Sequence, residues 1–121
     1  MRRYVILAHN HPFLHWDLMI EVDGALRTWR LSSPPEPGVD VAAEPLGDHR
    51  LDYLDYEGPV SGNRGCVTRW DAGVFEWRNE DVSAPRVKVA GEKLSGELIL
   101  KSSANGRIVC RYLPALRDAA H

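Results

Sequence analysis

The chain has 121 residues, 44% hydrophobic and 26% charged, with a formal net charge of −2. That length supports one domain around one core, residues 1–121, with the composition of a globular rather than a disordered or fibrous protein. The near-neutral charge excludes a general pull toward nucleic acid, so a nucleic-acid partner would need a local basic patch.

Met1-Arg2-Arg3 precedes a short apolar run, Tyr4 to Ala8, which predicts a compact strand. The run stops at His9, too soon for a signal-peptide core or a membrane span, so the expected location is cytoplasmic with no membrane partner. The stretch His9 to Gly24, HNHPFLHWDLMIEVDG, then opens with three histidines in seven residues and continues as alternating polar and apolar side chains. Such alternation predicts a half-buried strand, here from about Leu14 to Val22. Trp16, Leu18, Ile20 and Val22 make its core stripe, while His15, Asp17, Met19 and Glu21 share the other face. At a rise of ~3.3 Å per residue, His15 and Asp17 stand about 7 Å apart at Cα on one side of the sheet, within reach of one ion. Pro12 allows the chain to bend and bring His9 alongside. Two neutral imidazoles and a carboxylate are a competent ligand set for a transition metal. They also suit an ordinary half-exposed polar strand, and spacing by itself leaves the two readings level. His11, held by Pro12, belongs to the turn.

Asp23-Gly24 predicts a two-residue hairpin turn, with Ala25 to Leu31 as the return strand. Residues 32–40 carry three prolines and a glycine and read as a loop. Strands are expected at Val41 to Glu44 and Leu51 to Tyr56, followed by a glycine-bearing loop from Gly58 to Gly65. Cys66 to Trp70 and Val74 to Arg78 are expected as a second hairpin around Asp71-Ala72-Gly73. Arg86 to Ala90, Leu98 to Lys101 and Ile108 to Tyr112 complete the set, the last two joined by a turn at Asn105-Gly106. No segment carries a helical period beyond one turn near the C-terminus. About eight short strands with repeated turns predict an all-β fold, a compact antiparallel barrel or a sandwich, and barrel closure would remove exposed edges. Cys66 and Cys110 show no CxxC pattern and are expected as packed small hydrophobes in a reducing compartment.

These stretches together resemble the 3′-phosphoesterase domain of bacterial DNA ligase D and its stand-alone relatives. The first family motif stands as His9, His15-Trp16-Asp17-Leu18, Ile20-Glu21 and Asp23-Gly24, and Trp29 matches a tryptophan on the return strand. The second stands as Asp48-His49, Leu51-Asp52-Tyr53 and Tyr56-Glu57-Gly58. A third stands as Gly62-Asn63-Arg64-Gly65 with Trp70-Asp71-Ala72-Gly73, and Gly91-Glu92-Lys93-Leu94-Ser95-Gly96 resembles a fourth. The resemblance runs from residue 4 to about 112. It implies a compact β-barrel holding a divalent metal, typically Mn2+, with Zn2+ or Co2+ as alternatives, through His9, His15 and Asp17. It implies removal of a terminal ribonucleoside, and in some members a 3′-phosphate, from DNA or RNA-terminated DNA 3′ ends in non-homologous end-joining repair. His49 and Tyr53 match functional positions near the scissile phosphate. A metal that binds a phosphoryl oxygen and activates water, with a histidine as hydrogen-bond donor or acid, is chemistry suited to that reaction.

The chain departs from the family at three cationic positions. Met19 stands where the family usually has arginine, the expected lysine falls near Ser33, and a further basic position falls near Val41. A bound phosphate would lose charge-assisted hydrogen bonds, which weighs most on removal of a terminal phosphate. Arg27, Arg50 and Arg64 are the candidate substitutes. Two alternatives stay open: an end-binding module that has lost turnover, and a cupin-like oxygenase using the same ligand types for iron. A separate ligase or end-joining factor is the expected protein partner.

Overall fold

The computed structural model describes residues 2–81 and 84–116. In chain order its strands are β1 (Arg2–His9), β2 (His15–Val22), β3 (Ala25–Leu31), β4 (Asp40–His49), β5 (Gly58–Pro59), β6 (Cys66–Asn79), β7 (Arg86–Gly91), β8 (Ser95–Ser102) and β9 (Ile108–Pro114). Antiparallel pairing follows the order β1-β2-β3-β4-β9-β8-β7-β6, and β1 pairs again with β6. The expected all-β antiparallel barrel therefore closes with eight strands, and the short β5 is added beside the start of β6. The expected turn near the C-terminus falls on residues 117–121, outside the described residues.

The β2–β3 hairpin sets the frame for the site. Asp23 and Gly24 both adopt positive φ, 49° and 82°, the mirror-image turn whose twist suits paired strands. Its two-residue length fixes the register from Val22 opposite Ala25 to Trp16 opposite Leu31. The same alternation divides the barrel wall into two faces. Tyr4, Ile6, Leu18, Ile20, Trp29 and Leu31 point inward and join Val87, Leu98, Leu100 and Cys110 in the main core. Val5, Leu7, Met19 and Leu26 point outward, yet they are buried too, under Leu54 and Val60. The segment between β4 and β6 thus lies across the outer wall and makes a second, smaller core. Burying one leucine or valine side chain contributes roughly 1.5–3 kcal/mol, enough to hold a short segment down.

Three sequence expectations are corrected. Leu51–Leu54 is a 3-10 turn rather than a strand, because its apolar residues anchor the covering segment instead of pairing. The span expected as a hairpin at Asp71-Ala72-Gly73 is one continuous strand, β6. Leu7 pairs with Arg69 and Ile6 with Asp71, leaving Trp70 as a bulge. The bulge reverses the inside–outside alternation, so Val67 joins the outer core and Phe75 the inner one. Cys66 is exposed at the start of β6, whereas Cys110 is a core residue whose thiol burial pushes up to about 12.

Inside the barrel, Asp71 is a buried carboxylate with three donors. It accepts from the Tyr4 hydroxyl at 2.7 Å and from the backbone N–H groups of Lys93 and Leu94 at 2.8 and 3.2 Å. A Cβ at Gly91 would stand 2.0 Å from the Tyr4 hydroxyl and 2.6 Å from Asp71, so this turn admits no side chain. The Trp70-Asp71 and Gly91-Leu94 motifs therefore form a latch joining β1, β6 and the β7–β8 turn, remote from the outer face that carries the histidines.

Candidate active site

His9 and His15 are cross-strand partners at the open end of the β1–β2 pair. Asp17, two residues along β2, projects from the same outer face. One ligand atom from each of the three lies within 4.8 Å of the others. The hydrogen bonds around them decide which atoms face inward. A carbonyl oxygen only accepts, so His9 Nε2, 2.8 Å from the Arg64 carbonyl, carries the proton, as does His15 Nδ1, 2.9 Å from the Phe13 carbonyl. In the neutral rings this leaves lone pairs on His9 Nδ1 and His15 Nε2, which stand 3.7 and 3.3 Å from Asp17 Oδ2. Lone pairs and a carboxylate so placed repel one another unless a cation or protons stand between them. Donors about 2.1 Å from a shared tetrahedral ion would be about 3.4 Å apart, close to the spacing here. Asp17 Oδ1 is buried with no hydrogen-bond partner, a costly state for a carboxylate that a metal would relieve. The residues therefore fit a divalent cation, with backbone carbonyls orienting both rings.

The covering segment supplies the opposite wall. Val60 N–H donates to the Gly65 carbonyl at 2.8 Å and closes a tight loop. Gly65 has φ +74, and a Cβ there would lie 2.2 Å from Asn10 Oδ1, which accepts from Cys66 N–H at 2.8 Å. This close approach brings the Arg64 carbonyl to His9. Glu57 of the second motif accepts from Arg69 N–H at 2.7 Å, holding the segment against the β6 bulge. Arg3 pairs with Asp55 through two hydrogen bonds of 3.1 and 2.6 Å and holds its carboxyl below the usual carboxylate value.

Between these walls lies a cleft of about 120 Å3 lined by His9, Asp17, Met19, His49, Tyr53, Val60, Arg64 and Val67. His49 and Tyr53 thus share one cleft with the metal-competent cluster, their rings edge to face at 5.8 Å. His49 Nδ1 donates to the Gly47 carbonyl at 3.0 Å, which keeps Nε2 for other partners. His15 is fully buried behind Asp17, and His11 is exposed on the turn.

The cationic positions sort differently from the sequence expectation. Met19 does line the cleft, and it carries no donor. Val41 is in the barrel interior, paired with Cys110, so that position is remote from any anion in the cleft. Ser33 sits in the loop after β3 and is not among the lining residues. Of the substitutes, Arg64 lines the cleft, braced by Nε donating to the Ser61 carbonyl at 2.7 Å. Arg50 lines the groove next to it. Arg27 lies over the Trp29 ring at 4.6 Å, in a different depression of the surface.

Sequence reasoning missed Arg30. It is the cross-strand partner of Asp17, its guanidinium lies over Phe13 at 5.6 Å, and its buried Nε has no hydrogen-bond partner. Counting outward from the Asp23-Gly24 turn would have placed it there.

Residues 7–102 match the family described as the DNA Ligase D 3′-phosphoesterase domain. The chain is similar to the multifunctional non-homologous end joining protein LigD of Pseudomonas aeruginosa, 33% identical over 96% of this chain and 15% of that protein. It is also similar to the multifunctional non-homologous end joining DNA repair protein LigD of Mycobacterium tuberculosis, 31% identical over 90% of this chain and 14% of that protein. The chain therefore spans about one seventh of the length of these curated relatives.

Proposed function

Because the chain belongs to the DNA ligase D 3′-phosphoesterase domain family, we propose that it is a metal-dependent phosphoesterase trimming nucleic-acid 3′ ends in end-joining repair. Its substrates on this reading are DNA or RNA-terminated DNA 3′ ends, with terminal ribonucleoside removal favoured over 3′-phosphate removal. It would act in the cytoplasm beside a separate ligase or end-joining factor. The observation that carries the reading is the cleft in which His9 and Asp17 face His49, Tyr53 and Arg64.

His9, His15 and Asp17 would hold a divalent cation, manganese first with zinc and cobalt as alternatives, which would supply Lewis acidity toward a phosphoryl oxygen and a more acidic bound water. His49 keeps Nε2 available to donate to a phosphate oxygen or to protonate the departing oxygen. The Tyr53 hydroxyl orients the phosphate, and Arg64 places one positive charge on the cleft wall. Met19 offers no hydrogen bond where charge would stabilise a terminal monoester.

The experiment is a primer–template ending in a ribonucleotide or a 3′-phosphate, incubated with manganese and resolved on a denaturing gel. Manganese-dependent shortening of the ribonucleotide end, lost on chelation, supports the reading. Met19 on the cleft floor also favours a second reading, an end-binding module without turnover. Metal-loaded protein that binds ends and cleaves neither would establish that reading instead. Membership of a phosphoesterase family removes the ground for the oxygenase.

A further inference from the structure

The geometry points to a nucleoside subsite in the groove beside the cleft, formed by Arg50, Asp52, Tyr53, Tyr56 and Ser61. This inference rests on the phosphoesterase reading and adds where the departing nucleoside sits and how its sugar is recognised. The groove has a volume of about 270 Å3, more than twice that of the cleft. Tyr53 and Val60 line both, so the two are contiguous. The smaller space suits a phosphate group and the larger one a base and sugar.

The chemistry of the walls agrees with that division. Tyr53 and Tyr56 stand edge to face with centroids 6.0 Å apart. The Tyr56 hydroxyl donates to the Pro59 carbonyl, which fixes its ring while the ring stays part-exposed. Fixed aromatic rings stack on bases of any sequence. Asp52 is exposed on the 3-10 turn, and its carboxylate would repel a track of phosphates. It matches the uncharged end of the substrate instead. An ionised carboxylate accepts two hydrogen bonds from the neighbouring 2′- and 3′-hydroxyls of a terminal ribose, whereas a 2′-deoxyribose offers one. Arg50 can stack on the base or complete the sandwich.

The test uses the full chain with manganese and two primers, one ending in a ribonucleotide and one in a deoxynucleotide. Losing one hydrogen bond to a charged group corresponds to roughly 10- to 100-fold in kcat/KM, so the wild type should favour the ribonucleotide end by about that factor. Asp52→Asn keeps the shape and one acceptor oxygen. It should shrink the preference severalfold or more through KM, with kcat and manganese affinity near wild type. An unchanged ribo-to-deoxy ratio in Asp52→Asn would overturn the subsite. Independently of turnover, millimolar adenosine should shift the Tyr56 ring resonances in NMR more than 2′-deoxyadenosine does. No shift would also overturn it. If adenosine shifts Tyr56 while neither primer is cleaved, the subsite stands and the phosphoesterase reading falls.

Discussion

His9 and His15 face each other across the β1–β2 pair with ring centroids 4.9 Å apart, and each commits one ring nitrogen to a backbone carbonyl. The two carbonyls come from different places, Phe13 in the β1–β2 turn and Arg64 in the covering segment. Metal competence is therefore coupled to how that segment packs.

The first prediction follows from that pairing. His15→Ala should abolish stoichiometric manganese binding while circular dichroism shows an intact barrel. Manganese at a hundredfold excess over its Kd should stabilise the wild type by about 2.7 kcal/mol and the variant negligibly. Calorimetry with and without the ion checks both, and an equal gain in the variant would remove His15 from the ligand set.

His49 lies in the same cleft on β4, on a different element from the three ligands. His49→Ala should slow cleavage of a ribonucleotide-ended primer by roughly 100- to 10,000-fold, the usual range for a proton-transfer group. Manganese affinity should be nearly unchanged. Wild-type turnover in this variant would make His49 an ordinary surface residue.

Met19 packs in the outer core at 1% exposure while also lining the cleft. The unmodified protein should process a 3′-phosphodiester roughly 10- to 100-fold faster than a 3′-phosphate, the effect of one missing hydrogen bond to a charged group. Met19→Arg should recover part of the monoesterase rate and lower stability by about 1–3 kcal/mol through overpacking. Equal rates on both ends in the unmodified protein would mean that Arg64 or Arg30 already fills the role.

Tyr4 supplies a prediction about the fold alone. Burial, then its bond to Asp71, raises the Tyr4 pKa well above its ordinary 10.0. With the folded value above the unfolded one, its contribution is complete below about pH 10 and declines as pH rises further, because the unfolded chain deprotonates first. Tyr4→Phe should cost roughly 1.5–3 kcal/mol at pH 7 and show a shallower loss of Tm above pH 10. Manganese affinity should stay the same, since the latch lies inside the barrel.

Much of this molecule was legible locally. Alternation along residues 15–22 separated the inward stripe from the outward His15 and Asp17, and the Asp23-Gly24 turn set the hairpin register. Both are properties of neighbouring residues, dictated by strand pleat and turn chirality. The family motifs brought His9, His49 and Tyr53 into consideration, although composition alone would have left His49 on a solvated edge.

Contacts between distant segments decided the rest. The β1–β6 pairing closed the barrel and set Val41 inside it, where a phosphate cannot reach. The Trp70 bulge reversed the alternation of β6, which is why a continuous strand read as a hairpin. Burial of Leu54 and Val60 laid residues 51–65 over the outer wall and turned a half-exposed strand face into a cleft. Sequence alone could name the ligand types, because side-chain chemistry and strand periodicity are local. Which lone pairs face Asp17, and which arginine stands beside them, depended on packing between residues more than fifty positions apart, a free-energy balance that no local pattern encodes.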